Sequence, residues 1–253
     1  MSYVKVEPNL MKVAEVISKL IYRNGSLCVT FSQIRRETMF HPQTLTNLLE
    51  KGKTIGLITE CKDLGLGENG YTILQNTVVS LEYSVINEII KITDNHIIMK
   101  HLIKNRLYNN SILPLKGIIV KIFGDVLLDM PFIFKGRNNY EIDLTKNISD
   151  KYYIFYLDSD IEIKPGETYN YEYEFYLKYF PPMDYFITES INYVMTYSAK
   201  TYLTKNEKRV IKSVRLEYPP DVKIIEEKQG KTFHEVKIIK LSSCRSIKFW
   251  FHI

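Results

Sequence analysis

The sequence has few cysteines, almost no alanine and no long hydrophobic run. Its three cysteines are too few and too scattered for a disulfide framework or a zinc site, so a reducing compartment is the simplest interpretation. No stretch approaches the roughly 20 apolar residues of a membrane span, and the N-terminus MSYVKVEPNL has no apolar segment suited to a signal peptide. We therefore expect a cytoplasmic protein with no membrane partner. Alanine occurs only at Ala14 and Ala199, whereas the abundant Ile, Lys, Asn and Tyr have AT-rich codons, which indicates an AT-rich genome.

A strong charge imbalance and catalytic motifs are also missing. The net charge is +5 over 253 residues, and a mildly basic chain tolerates a polyanion without requiring one. No phosphate-binding glycine loop and no serine nucleophile elbow occurs. His96 and His101 are five residues apart, one more than two metal ligands on one helix face require. We expect neither an enzyme nor a bound metal or cofactor.

Apolar residues recur every three or four positions in the first part of the chain, which predicts helices. Residues 9–23 form one such amphipathic stripe, and Asn24-Gly25 ends it. Thr30 and Gln33 fit a capping box that begins a second helix, which extends through about Thr38. Pro42 suits the first position of a third helix, whose inward face carries Leu45, Leu48 and Leu49.

Two short strands follow the third helix. Residues 57–61 and 71–74 are strand-like and flank a glycine-containing loop, so we expect a β-hairpin. Apolar spacing then predicts helices over residues 77–92 and 94–108, a helical connector that would serve as a dimer interface or pack onto the rest of the protein. The expected domains are residues 1–76, the connector 77–110, and a third region from 111 to 253.

Residues 111–253 contain many short strand-like runs separated by turn signals such as Lys164-Pro165-Gly166-Glu167. This pattern predicts an antiparallel β-sandwich for effector or partner binding. The segment YNYEYEFYLKYF (169–180) is either an aromatic ligand face or an ordinary half-buried strand. The predicted fold class is α+β: three helices and a hairpin, two further helices, and a C-terminal β-sandwich.

The stretch TFSQIRRETMFHPQTLTNLLEKGKTIGLITECKDLGLGENGYTIL places a capped helix, a turn at MFHPQTL, a third helix and a hairpin in succession. Over residues 10–74 it resembles the winged helix-turn-helix superfamily, found mostly in transcription regulators of bacteria and archaea. The resemblance implies that the third helix enters the major groove of duplex DNA. The hairpin departs from the usual pattern, because its loop offers Asp63 and Glu68 and only Lys62 as a base.

The predicted DNA contacts follow from the outward face of that helix. Amide side chains can contact adenine, threonine can contact a thymine methyl group, and Arg or Lys can contact phosphate. The candidate DNA-binding residues are Arg35, Arg36, Gln43, Thr44, Thr46, Asn47, Lys51, Lys53 and Lys62.

Two functions follow from these patterns. The first is a DNA-binding transcription regulator, a homodimer on a palindromic site, with a small ligand or protein partner at the β-sandwich. The second is a protein-interaction adaptor that uses the N-terminal domain as scaffold and the tyrosine-rich sandwich as its binding surface. A positive stripe joining Arg35, Arg36, Lys51 and Lys53 favours DNA, whereas an acidic or apolar patch there favours the adaptor.

Overall fold

A computed structural model describes most of the chain: residues 3–5, 7–24, 28–55, 57–62, 69–73, 78–110, 115–124, 130, 132–137, 139–142, 152–190, 192–220, 222–241 and 245–253. These residues form two compact units. The first unit comprises residues 1–79, 109–120 and 154–167, and the second comprises residues 80–108, 121–153 and 168–253. Each unit therefore takes segments from both sides of residue 110. The predicted domain boundaries and their roles stay predictions.

The helices of the first unit begin and end close to the predicted positions. They are α1 (Pro8–Asn24), α2 (Phe31–Thr38) and α3 (Pro42–Thr54). The predicted capping box begins α2: the Gln33 amide donates to Thr30 Oγ1 at 3.2 Å, and the Thr30 amide donates to Gln33 Oε1 at 2.8 Å. Each bond satisfies an amide that the first turn of a helix would leave unpaired.

The third helix packs through the three leucines that its spacing placed on one face. Leu45, Leu48 and Leu49 are buried, and Pro42 occupies the start of the helix. Gly52 is buried on the same helix, where a Cβ would lie 2.6 Å from Ile58 Cδ1. The absence of a side chain at Gly52 lets α3 pack closely against the strand that contains Ile58.

Two three-stranded sheets contribute most of their residues to the first unit. The predicted hairpin consists of β3 (Ile58–Lys62) and β4 (Asn69–Ile73), and β4 also pairs with β2 (Val29–Thr30). A second three-stranded sheet has the order β1 (Tyr3–Lys5), β10 (Tyr152–Ile163), β7 (Leu115–Phe123). Asp63 and Glu68, the acidic residues of the hairpin loop, lie outside the described residues.

The second unit contains an eight-stranded sheet with the order β17-β18-β13-β5-β6-β11-β8-β9. Its strands are β5 (Val78–Ile92), β6 (Ile97–Asn109), β8 (Phe132–Lys135), β9 (Asn139–Ile142), β11 (Thr168–Tyr179), β13 (Tyr193–Tyr202), β17 (Lys223–Gln229) and β18 (Phe233–Leu241). The predicted helices over 77–92 and 94–108 are therefore wrong. Both segments are central strands of this sheet, so the helical dimer interface that was built on them is wrong as well.

The reason for this error lies on the buried face of β5. From Tyr83 to Ile89 burial alternates with a period of two, which places Tyr83, Val85, Asn87 and Ile89 on the inner face. The inner face includes the polar Asn87, and the outer face includes Ile86 and Ile90. The apolar residues of β5 therefore recur at intervals of three and four, which is the spacing of a helix. Only the pairing with neighbouring strands reveals the true period.

The remaining strands form a three-stranded sheet and a small hairpin. The sheet has the order β12 (Met183–Ser190), β19 (Arg245–His252), β16 (Ser213–Glu217), and the hairpin joins β14 (Thr204–Lys205) to β15 (Lys208–Arg209). Most described residues lie in strands, and three helices occur among them, all in the first unit. The predicted fold class, an α+β protein with a helical connector, is wrong, because the protein is predominantly β.

Cysteine usage also differs from the expectation. Cys28 is buried beside β2 and is disulfide-bonded. The sequence predicted no disulfide framework, but this residue takes part in a disulfide bond. Since disulfides persist mainly in oxidising compartments, this bond lends no support to the predicted reducing compartment. Among the residues that the structure covers, no helix is long and apolar enough to cross a membrane.

Candidate functional site

The outward face of α3 is exposed as the sequence predicted, but its polar groups are largely engaged locally. Gln43, Thr44, Thr46 and Asn47 are all exposed. Gln43 Nε2 donates to Asn47 Oδ1 at 3.3 Å, and Thr46 Oγ1 donates to the Pro42 carbonyl at 3.0 Å. These bonds fix the side chains along the helix surface.

The lysines near the end of α3 are neutralised by carboxylates. Lys51 Nζ lies 2.8 Å from Glu7 Oε2, and Lys53 Nζ lies 2.5 Å from Glu50 Oε1 and 2.7 Å from Glu60 Oε1. The hydrogen bonds to Glu50 and Glu60 raise the pKa of Lys53 above its ordinary value. This end of α3 therefore carries three acids around two bases, and no positive stripe runs along the helix.

Lys62, the remaining candidate base, lies at the end of β3, where its backbone pairs with Asn69. Nothing about its side chain is described.

The other predicted bases border a surface depression, here named the α2–α3 groove. It has a volume of 530 Å³ and is formed by the exposed side of α2 and the turn into α3, with lining residues Phe31, Ser32, Arg35, Arg36, Met39, Phe40, His41 and Pro42. Arg35 and Arg36 are both exposed. In the described part of the chain, no carboxylate lies within ion-pair distance of either guanidinium.

Met39 projects from this groove at an unusual backbone position. It caps the end of α2 with φ of +59°, and its amide donates to the Arg35 carbonyl at 2.8 Å. That left-handed conformation is usual for glycine or asparagine at a helix end and costs a residue with a Cβ roughly 1 kcal/mol. The Met39 side chain is nevertheless 84% exposed, so it contributes almost nothing to the core.

The turn that carries Met39 is held in place by its neighbours. Thr38 is buried, and its Oγ1 donates to the Ile34 carbonyl at 2.9 Å. Lys12 Nζ from α1 donates to the Thr38 carbonyl at 3.4 Å and lies 5.0 Å from the centre of the Phe40 ring. The groove is therefore a fixed surface rather than a loose loop.

Sequence reasoning found the two arginines of the groove but missed its apolar residues. The available signal was the pair Met39-Phe40 in a turn where polar residues are usual. These side chains lie beside the arginines, so the surface is both apolar and cationic. By the criterion set by the sequence, this apolar patch favours protein binding over DNA.

The tyrosine-rich segment of the second unit does not form a ligand face. Tyr169, Tyr171, Tyr173 and Tyr179 on β11 are all buried, and their neighbours Asn170, Glu172, Glu174, Tyr176 and Lys178 face outward. The alternative interpretation, a half-buried strand, is therefore correct. These four tyrosines are therefore not accessible to the partner that the adaptor hypothesis placed on the tyrosine-rich sandwich.

One buried polar cluster lies in the core of the second unit. His101 is stacked against two rings, Phe175 with centroids 5.2 Å apart and Phe186 with centroids 4.3 Å apart. Its Nδ1 lies 2.8 Å from Asn87 Oδ1, and Tyr179 OH lies 2.9 Å from its Nε2. Because the Asn87 oxygen can only accept, Nδ1 carries the proton and Nε2 accepts from the hydroxyl. Burial lowers the pKa of His101 to about 3.

Within the residues that the structure covers, no group of three or more His, Cys, Asp or Glu side chains is arranged to hold a metal ion.

Comparison with known proteins assigns no family to the chain. No protein-family model matches it, and no curated protein does either. It is similar to the solved structure of an M1 zinc metallopeptidase from Deinococcus radiodurans, with 7% identity and a TM-score of 0.38. That similarity covers 71% of this chain and 43% of the metallopeptidase.

It is also similar to a proposed protease from Parabacteroides distasonis, with 8% identity and a TM-score of 0.40 over 70% of this chain and 40% of the other. The chain thus spans less than half the length of these structures. At such values the similarity transfers no activity, but it gives no support to the prediction that the chain is not an enzyme.

The predicted transcription regulator with duplex DNA as its partner is corrected by the charges around α3. The acids around Lys51 and Lys53 remove the positive stripe that a DNA-reading helix needs. The resemblance to the winged helix-turn-helix superfamily stays a prediction at the level of the superfamily.

Proposed function

We propose that the α2–α3 groove of this chain binds an acidic segment of a partner protein that carries an apolar side chain. The observation that carries this proposal is the placement of Arg35 and Arg36, which have no ion-pair partner among the described residues, beside the exposed Met39. No residue of the Tyr-rich strand takes part.

The chemistry of the groove supports this kind of partner. An arginine guanidinium can bind a carboxylate through two parallel hydrogen bonds, which gives direction as well as affinity. Methionine is flexible and polarisable and adapts to apolar side chains of different shapes. Arginine and methionine are enriched in protein interfaces, where charged rims surround an apolar centre.

The backbone at Met39 supports a binding role over a folding role. Glycine at this position would adopt the same φ without strain. The chain keeps a methionine, whose exposed side chain adds little to the core. This combination of local strain and an exposed apolar side chain is typical of residues retained for function.

The test measures binding of short fluorescein-labelled peptides by fluorescence anisotropy. One peptide carries Asp and Glu around a leucine and a phenylalanine, a second replaces both apolar residues by serine, and a third replaces the acids by lysine. We expect the first peptide to bind most tightly, because it alone matches both features of the groove. Arg35→Gln and Arg36→Gln should each weaken its binding about tenfold, the loss expected for one charge-assisted contact.

Two further variants make the result specific to the groove. Met39→Gly should weaken binding while leaving the protein at least as stable, since glycine relieves the positive φ. Lys19→Gln removes one exposed positive charge from α1, outside the groove, and should leave binding unchanged. Equal binding of all three peptides, or tighter binding of a labelled DNA duplex than of the first peptide, overturns the proposal.

A further inference from the structure

The outward face of the eight-stranded sheet carries a second charged depression, here named the cation cavity. It has a volume of 480 Å³, and its lining includes the charged side chains Glu82, Lys104, Arg106, Lys135 and Glu172 and the exposed amide Asn170. All of these residues belong to the second unit. Three cations and two carboxylates leave a net charge of +1 in the cavity.

The strand register determines how these charges are arranged. Glu172 on β11 lies directly opposite Lys104 on β6 and directly opposite Lys135 on β8. The next outward position of β11 is Asn170, which lies opposite Arg106. From strand geometry, Lys104 and Arg106 are about 7 Å apart along β6, and Lys104 and Lys135 are about 10 Å apart across two strand spacings.

The ion pairs inside the cavity are longer than most other ion pairs of the described residues. Lys104 and Lys135 each lie 3.4 Å from Glu172, on different oxygens of the same carboxylate. Arg106 lies 3.9 Å from Glu82, beyond hydrogen-bond distance. By contrast, Lys100 on β6 lies 2.9 Å from Glu88, which is the usual distance for a charged hydrogen bond.

Because these ion pairs are long, the three cations can each form a shorter contact with an added anion. Lys104 and Lys135 share one carboxylate, and the guanidinium of Arg106 makes no direct hydrogen bond to its acid. Each cation is about half exposed, so it can turn toward a ligand at little cost. The amide of Asn170, directly opposite Arg106, adds a neutral donor beside that arginine.

We propose that the cation cavity binds a small polyvalent anion carrying two or more carboxylate or phosphate groups. One anionic group would lie between Lys104 and Lys135, in competition with Glu172, and a second would meet Arg106 and Asn170. The spacing of about 7 Å between Lys104 and Arg106 along β6 matches an anion with two charged groups better than an anion with a single charge. This site is separate from the α2–α3 groove and does not depend on the function proposed there.

The test is isothermal titration calorimetry of the full chain with inorganic pyrophosphate and with citrate at low ionic strength, where exposed charges are little screened. Binding of either anion is the expected result, and the tighter one identifies phosphate or carboxylate as the preferred group. Failure of both to bind overturns the proposal. Acetate carries a single charge and can contact either the two lysines or Arg106, but not both. It should therefore bind at least about tenfold more weakly than the tighter of the two polyvalent anions.

Three variants distinguish specific binding at the cation cavity from non-specific attraction of an anion to a basic protein. Lys104→Gln combined with Lys135→Gln should weaken binding at least about tenfold. Glu172→Gln should tighten binding, because it removes the carboxylate that competes for both lysines. Lys100→Gln alters the same face of the same strand, but at a lysine already paired with Glu88, and should have no effect. Weaker binding in Glu172→Gln, or equal losses in the Lys100 and Lys104/Lys135 variants, contradicts the proposal.

Discussion

At the scale of single residues, His101 couples the core of the second unit to pH. It is fully buried, and burial lowers its pKa to about 3 from the ordinary value of 6.5. In the unfolded chain His101 becomes protonated below pH 6.5, whereas in the folded chain it stays neutral down to about pH 3. The unfolded state therefore binds more protons in this window, and its relative stability increases as the pH falls.

We expect the free energy of unfolding to decrease as the pH falls from 6.5 to 3, and we expect a smaller decrease in the His101→Gln variant. The variant cannot take up the proton, so the difference between the two pH profiles isolates the contribution of His101 from that of the carboxylates. Urea unfolding followed by circular dichroism at several pH values measures it. Parallel profiles for both proteins would show that His101 does not couple stability to pH.

The residue scale also shows what could be predicted at the groove. Arg35 and Arg36 were identified from the sequence as surface bases, and they are exposed and unpaired among the described residues. The role of Lys51 could not be predicted, because its partner Glu7 is 44 residues away in sequence. Charges so far apart meet only through the fold.

At the scale of elements, α3 depends on the missing side chain of Gly52. In an isolated helix, Gly→Ala stabilises by about 1 kcal/mol. Here an added Cβ would lie 2.6 Å from Ile58 Cδ1 and 3.2 Å from Ile58 Cβ, and Ile58 is fully buried. The steric conflict therefore outweighs the gain in helix propensity.

We expect Gly52→Ala to destabilise the protein by about 1–3 kcal/mol, the usual cost of an overpacked core. Combining it with Ile58→Val, which removes the clashing Cδ1, should recover part of that loss. The exposed substitution Asn47→Ala on the same helix is the control and should change stability little. Differential scanning calorimetry of the four proteins tests this expectation, and a stabilised Gly52→Ala variant would refute it.

At the scale of the whole molecule, the two units interleave along the chain. The eight-stranded sheet needs β5 and β6, which precede residue 110, between β13 and β11, which follow it. A fragment of residues 111–253 would leave the paired edges of β13 and β11 without partners.

We therefore expect the fragment 111–253 to be unfolded or aggregated, whereas a fragment that begins at residue 78 keeps the complete eight-stranded sheet and should retain more structure. Dispersion of amide resonances in NMR spectra distinguishes the two. A well-dispersed spectrum for 111–253 would instead support the predicted domain boundary.

The sequence by itself determined the features that depend on neighbours within a few residues. The capping box of Thr30 and Gln33, the proline at the start of α3 and the inward leucines of α3 were all predicted, because their hydrogen bonds and apolar face are local to one helix. The tertiary structure alone decided the rest. Strands β5 and β6 take their hydrogen bonds from distant segments, and the cation cavity joins side chains through cross-strand register. These contacts have no signature in local spacing, so the strand period of β5 and the long ion pairs around Glu172 became visible only in the folded chain.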